Sequence, residues 1–323
     1  VSVRIVPAER PGAIAEAVAA LRRGELCAVP TETVYGLAAL ATDEAAIARV
    51  FAAKGRPRTH PLIVHVAGIE DARRHAGEWS ARAQTLAAAF WPGPLTIVVP
   101  KAASVPAIVT GGGDSVALRA PRHPVARALL ALLHEGFVAP SANRYQSTSP
   151  TSAEHVARAF ADREEPLLIL DGGPSTEGLE STVVDVRGER AIVLRPGTIT
   201  VNALAAALGE DVERFAGAAR EDAVRAAPGM DRRHYAPRAR VLLAGSHAEA
   251  VERAGALQGA VRVSFGPSAG AVALPADAAG AGRELYALLH RLDEDGAPVV
   301  VFEPVPPGEP WDALRDRLGR AAG

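Results

Sequence analysis

A chain of 323 residues, 48% hydrophobic, 22% charged and 4% aromatic, is long enough for one large domain or two ordinary ones around a buried core. Its 35 basic and 37 acidic residues leave a formal charge of −2, which excludes a global basic field for nucleic acid but leaves room for a local basic patch. Cys27 is the single cysteine, so an internal disulfide framework and a multi-cysteine zinc site are both excluded.

The first twelve residues, VSVRIVPAERPG, lack the apolar core of a secretory leader. No apolar run approaches the roughly 18 residues of a membrane span. The nearest, residues 86–99, is broken by Pro92 and Pro94. With the lone cysteine, this predicts a reduced, cytoplasmic setting and no membrane partner. Residues 12–23 read as a helix, with Pro11 before it and Gly24 just past its end. Residues 25–29 form a short apolar strand, and PTETVYG follows as its exit loop. A second helix spans 43–54, capped by Thr42 or Asp43 and stopped by Gly55. Strands follow at 62–66, 95–99 and 116–120, then a helix at 124–134 and the strand FVA at 137–139. Further strands fall at 167–170, 181–186 and 191–195, before a helix at 201–208.

Between 209 and 237 the chain turns charged and weakly periodic, and reads as a linker long enough to carry a role of its own. The pattern then restarts with strands at 240–244, 261–265 and 298–302 and helices at 246–257, 282–292 and 311–319. That is a βαβαβα unit with a small parallel sheet. The expected organisation is thus 5–208, a linker at 209–237, and a small C-terminal α/β domain at 238–323. The class is α/β or α+β.

Standard phosphate and hydrolase motifs are missing: GxxxxGK[ST], GxSxG and HExxH do not occur. The GAG at 280–282 lacks the third glycine of a dinucleotide fingerprint and reads as an ordinary glycine-rich loop. What remains is a set of polar clusters where strands and helices end. Thr31-Glu32-Thr33-Val34-Tyr35-Gly36 is either a capping turn or a hydrogen-bonding platform for a small polar ligand. Lys54-Gly55-Arg56 either complements a helix dipole or clamps phosphate oxygens. His65 shares a strand face with Ile63, opposite Leu62, Val64 and Val66, and suits either a structural histidine or a ligand contact. Arg119, inside the apolar strand VALRA, needs an anionic partner, either a substrate carboxylate or a structural Asp or Glu. Pro140-Ser141-Ala142-Asn143, Gly178-Leu179-Glu180-Ser181-Thr182 and Arg195-Pro196-Gly197 add polar groups at other strand ends, as a crevice in a sheet protein requires.

These segments together carry a resemblance. VPTETVYGLAA, AAKGRPRTHPLIVHV, FWPGPLTIVV, VALRAPRHP, VAPSANRYQSTSP, GLESTVVDV and IVLRPG, in that order, resemble the YrdC-type domain. With PGM and HYAP in the linker and a small C-terminal unit, the chain resembles the two-domain threonylcarbamoyl-AMP synthases of that family. The resemblance implies an α+β-like twisted sheet with flanking helices plus a small Rossmann-like C-terminal α/β domain. It implies a nucleotidyltransferase that makes threonylcarbamoyl-AMP and pyrophosphate from L-threonine, bicarbonate and ATP with Mg2+. The product would serve N6-threonylcarbamoyladenosine formation at position 37 of tRNA, through a downstream threonylcarbamoyl transferase complex.

Carried over by motif, the L-threonine site is expected at Thr33, His65, Arg119, Ala139 and Ser181, with Ala139 acting through its backbone. ATP contacts are expected from Arg56, His60, Ser115, Ser141, Ser149, Arg195 and the linker's Tyr235. Lys54 and Arg56, with Ser141 and Asn143, form the KxR and SxN elements expected to mark the catalytic centre. His60 stands where the family pattern has asparagine, Ser115 where threonine is common, and Ala39 where glycine is common. No metal-ligating side chain is assigned. Two other readings compete with this one. A hydrogenase-maturation carbamoyl transferase needs cysteine-rich modules that one cysteine does not supply. A non-catalytic double-stranded RNA- or tRNA-binding module fits the domain type, and RNA contact is also compatible with catalysis.

Overall fold

The computed structural model describes residues 2–215 and 234–323. The first unit runs β1 (Val3–Pro7), α1 (Ala13–Arg22), β2 (Leu26–Val29), β3 (Gly36–Leu40), α2 (Glu44–Lys54), β4 (Ile63–His65), α3 (Ile69–His75), α4 (Ala81–Phe90), β5 (Leu95–Pro100) and β6 (Ser115–Arg119). It continues through α5 (Pro124–Leu133), β7 (Phe137–Val138), α6 (Ala153–Ala159), β8 (Leu167–Asp171), β9 (Thr182–Asp185), β10 (Ala191–Arg195), α7 (Val201–Leu208) and β11 (Val212–Arg214). The C-terminal unit holds β12 (Arg240–Leu243), α8 (His247–Ala256), β13 (Val261–Phe265), β14 (Val272–Leu274), α9 (Ala278–Glu294), β15 (Val299–Phe302) and α10 (Asp312–Ala322).

Among the described residues the first unit's strands join in one eleven-stranded mixed sheet, ordered β1-β8-β2-β3-β7-β4-β6-β5-β9-β10-β11. Its central strands are apolar on both faces because helices cover both. Cys27 and Val29 of β2 pack with α1 and α5 on one side, while Leu26 and Ala28 face a larger cluster on the other that takes in Ile47 and Phe51 of α2 and Leu86 of α4. Cys27 is part of that packing, and burial pushes its thiol up to about 12. At the start of α2 the Asp43 carboxylate accepts the Ala46 amide at 2.9 Å, and Gly55 ends the helix at φ 64°.

The mixed α/β class is as expected, and so are most elements. Several expectations need correction. Gly36, read as the end of an exit loop, begins β3, which pairs antiparallel with β2. β1, α3, α4 and α6 are present in addition to the expected elements. β11 lies inside the stretch read as linker and pairs parallel with β10, and β1 begins at Val3 and pairs with β8. Residues 216–233 of that stretch lie outside the described residues. The C-terminal sheet has a strand more than expected: β12-β15-β13-β14, all parallel. The GAG at 280–282 is not a loop but the opening of α9. A Cβ on Gly282 would stand 3.1 Å from Leu179, and one on Gly178 (φ 76°) 2.4 Å from the Arg283 Cα. Both glycines therefore serve close contact between the two units. Leu179, Val34 and Tyr235 accordingly belong to the C-terminal core with Leu285, Tyr286 and Phe302.

The same junction stacks His155 of α6 on His290 of α9, with ring centroids 3.9 Å apart. Burial, then the facing imidazole and Arg158, push His155 down to about 3, and burial likewise lowers His290. The His155 ring is therefore neutral in the folded chain above about pH 3. The unfolded chain therefore takes up more protons between about pH 3 and pH 6.5, and stability falls as pH falls through that window. Urea unfolding at pH 7 and pH 5 should show this loss. His155→Phe, which keeps a stacked ring without the proton site, should show a smaller one.

Candidate active site

The site forms where β2, β4, β6, β9 and β10 end or begin. β4 and β6 run parallel with His65 directly opposite Arg119, so two residues far apart in sequence become neighbours. The loop after β2 supplies the anion that Arg119 needs. Glu32 accepts from Arg119 Nη2 at 2.7 Å, and Thr33 Oγ1 accepts from Nη1 at 2.8 Å. The second Glu32 oxygen accepts the backbone amides of Arg122 at 3.0 Å and His123 at 3.3 Å. Burial opposes the Glu32 charge, but Arg119 and these amides outweigh it and hold the carboxyl below the usual range. The structural-carboxylate reading of Arg119 thus holds, yet the guanidinium still lines a cavity. Its Nε is buried with no hydrogen-bond partner among the described residues.

That cavity, of about 50 Å³, is bounded by Thr31, Thr33, Val34, Arg56, Ile63, His65, Arg119, Ala139, Pro140, Ser141, Glu180, Ser181, Arg195, His234 and Tyr235. Nine sequence-nominated residues therefore meet at one place: Thr33, Arg56, His65, Arg119, Ala139, Ser141, Ser181, Arg195 and Tyr235. Burial and then Arg119 push His65 down to about 3, so its ring is neutral, stacked 5.4 Å from Phe137. Its Nδ1 has no hydrogen-bond partner among the described residues. Ser181 Oγ lies 2.7 Å from Thr96 Oγ1, and Arg195 Nη2 donates to Ser181 O at 2.9 Å and to Ser181 Oγ at 3.1 Å. Three guanidiniums against one carboxylate make the lining cationic in a chain of net charge −2.

The other nominated residues stand behind this lining or away from it. Lys54 is buried beneath the Ser141–Asn143 turn. Its Nζ donates to the Ser141 carbonyl, to Asn143 O at 2.6 Å and to Asn143 Oδ1 at 3.4 Å. Burial, then Arg56 and Arg144, push its ammonium well below the ordinary lysine value. Asn143 Nδ2 donates to Arg144 O at 2.9 Å and Ser147 O at 2.7 Å, which closes the loop on itself. Ser149 Oγ donates to Glu180 Oε1 at 2.6 Å. His60 is buried edge-on to Tyr145, 5.6 Å between centroids. Ser115 opens β6 at the end opposite Arg119, and the structure does not bring it to the cavity.

Sequence reasoning missed the roles of Glu180, His234 and Arg317. Glu180 lies within the quoted GLEST and His234 within HYAP, so both had a local signal. Arg317, in the last helix, had none. No group of three or more carboxylate, imidazole or thiol side chains able to hold a metal ion occurs among the described residues. Glu32 and Glu180 are both engaged by arginines. No helix among the described residues is long and apolar enough to cross a membrane.

Comparison with known proteins identifies the family. Residues 19–197 match the family model described as "Telomere recombination", and residues 199–323 match the C-terminal domain of threonylcarbamoyl-AMP synthase. The threonylcarbamoyl-AMP synthase of Pyrococcus abyssi (strain GE5 / Orsay) is 45% identical over 72% of this chain and 68% of its own length. That of Bacillus subtilis (strain 168) is 37% identical over 96% and 93%. The crystal structure of P. abyssi Sua5 complexed with L-threonine superposes with a TM-score of 0.90 at 36% identity, covering 99% of this chain and 97% of that one. With a mixed sheet, a cationic pocket at its strand ends and a C-terminal unit that matches in its own right, the chain belongs to the two-domain threonylcarbamoyl-AMP synthase family.

Proposed function

We propose that this chain makes threonylcarbamoyl-AMP and pyrophosphate from L-threonine, bicarbonate and ATP in the cytoplasm, for the tRNA modification at position 37 that a transferase complex completes. The observation that carries this reading is the meeting of Thr33, His65, Arg119 and Ser181 on one buried cationic cavity. Their chemistry suits an amino acid: a guanidinium Nε for the carboxylate, and a neutral imidazole and two hydroxyls for the amine and hydroxyl. Arg56, Ser141, Arg195 and Tyr235 are the neighbours for the nucleotide.

The reaction needs no side-chain nucleophile. Threonine's amine and bicarbonate give a carbamate and water. A carbamate oxygen then attacks the α-phosphorus of ATP, and the bond to the departing pyrophosphate breaks. The chain's own contribution is positioning and stabilisation of negative charge by Arg56 and Arg195, with Lys54 bracing the Ser141 turn. Mg2+ is assigned here as the nucleotide's companion, neutralising phosphate charge. The cavity of about 50 Å³ is far below the roughly 300 Å³ of a nucleotide-sized pocket. Entry of ATP therefore requires this lining to open, and closure over the bound substrates would shield a labile carbamate and mixed anhydride from water.

Pyrophosphate release from ATP, with L-threonine and bicarbonate omitted in turn, tests the reading. Release that requires both is expected. Release with neither marks a plain nucleotide hydrolase. A folded chain that releases none, yet binds RNA in a salt-dependent way, is the non-catalytic RNA-binding module instead.

A further inference from the structure

Arg317 sits in α10, near the end of the chain, and is among the largest fully buried side chains of the protein. Its Nε donates to Glu180 Oε2 at 2.7 Å, and its Nη2 donates to Pro196 O at 3.0 Å. Its guanidinium also lies over the Tyr235 ring, 5.1 Å from the centroid. One side chain of the C-terminal unit thus grips the loop before β9, the turn after β10 and the linker's HYAP segment. Tyr286 of α9 adds a second hold, donating its hydroxyl to Glu180 Oε2 at 3.0 Å. On the far oxygen, Glu180 accepts from Ser149. Glu180 itself lines the cavity.

Burial opposes the Glu180 charge, but Arg317, Arg195 and the Ser149 hydroxyl keep the carboxyl below its usual range. A carboxylate so enclosed stays charged and in place only with its partners present. The elements it ties together are those assigned to ATP: Ser149, the Arg195 turn and Tyr235. Of the residues assigned to threonine, Thr33, His65 and Arg119 lie outside its hydrogen bonds, while Ser181, next to Glu180 in the chain, is held by Thr96 and Arg195.

We infer that Arg317, with Tyr286, is a positioning residue that sets the nucleotide end of the site through Glu180, so that the C-terminal unit governs ATP use while leaving threonine recognition to the first unit. This rests on the synthase reading above. The asymmetry separates it from a purely structural role. A general loss of packing would weaken both substrates alike, whereas loss of this hold falls on ATP.

The test compares the full-length chain with Arg317→Met, Arg317→Lys, Tyr286→Phe and the neutralised pair Glu180→Gln/Arg317→Met. Measured are the KM for ATP, kcat, L-threonine affinity by calorimetry, and thermal unfolding. Arg317→Met is expected to raise the ATP KM about tenfold with threonine affinity within about twofold of the parent. Tyr286→Phe, which keeps the ring and loses one hydrogen bond, should give about a threefold rise, and Arg317→Lys an intermediate one. The neutralised pair should recover melting temperature and keep the high ATP KM. Recovery of the ATP KM along with melting, equal losses for both substrates, or an ATP KM within about twofold of the parent in every variant overturns the inference. A parent chain that binds neither substrate overturns the synthase reading and this inference with it.

Discussion

Arg119→Met is expected to lower L-threonine-dependent pyrophosphate release by about a thousandfold and to destabilise the fold by about 3–5 kcal/mol. Two effects add. The cavity loses its guanidinium, and Glu32, 2% exposed, is left as a buried charge with only backbone amides for support. Adding Glu32→Gln removes that charge, so the double variant should regain most of the stability while remaining inactive. Thermal unfolding beside turnover checks both halves. Recovery of turnover in the double variant would show that Arg119 serves the fold alone.

Lys54→Met is the second large effect. The ammonium holds three oxygens of the Ser141–Asn143 turn, and methionine offers none of them a donor. Each buried acceptor left unpaired costs about 1–3 kcal/mol, partly relieved if the turn moves. Such movement displaces Ser141 from the cavity wall, and a shift of about 1 Å is enough to lower turnover about a hundredfold. Lys54→Arg should not rescue it, because a planar fork does not fit a compact buried socket built for a point donor. Near-parental pyrophosphate release by Lys54→Met would show that the turn holds itself, through the Asn143 amide.

The sequence made the lining of the site readable and left its support hidden, for a physical reason. Polar clusters beside strand ends suggest a crevice, but it is the motif resemblance that picks out Thr33, His65, Arg119, Ser181 and Arg195 within them. Lys54 reads as either a dipole complement or a phosphate clamp, because a cation at a helix terminus suits both tasks. Only the three-dimensional path of residues 141–143 shows that its partners are carbonyls. Glu32 as the partner of Arg119, and Arg317 as that of Glu180, are pairings across long sequence separations, which periodicity does not encode. The same limit applies to secondary structure. α1, α2 and β13 follow from local signals, whereas β3, β11 and β14 are short strands fixed by neighbours already in place. The GAG in α9 looked like a loop because glycine weakens a helix. Gly282 makes room for Leu179 of the other unit, and Gly280 for Pro275 and Asp277 just before the helix.

The strand order of the large sheet has a consequence for how the chain acquires its structure. β8 lies between β1 and β2, and β9 pairs with β5, so neither edge of the early strands is complete while synthesis is under way. When β1, β2 and β3 have left the ribosome, only the β2–β3 hairpin and its helices are available to one another. β1 waits for Leu167–Asp171 to close the gap. Pairings this distant are slow to form and leave apolar strand edges open in the meantime. The all-parallel C-terminal sheet emerges later, and its widest pairing, β12 with β15, spans a shorter stretch of chain than β1 with β8. A nascent chain stalled before residue 167 is therefore expected to depend on chaperones, and one released after residue 214 to hold a paired first sheet.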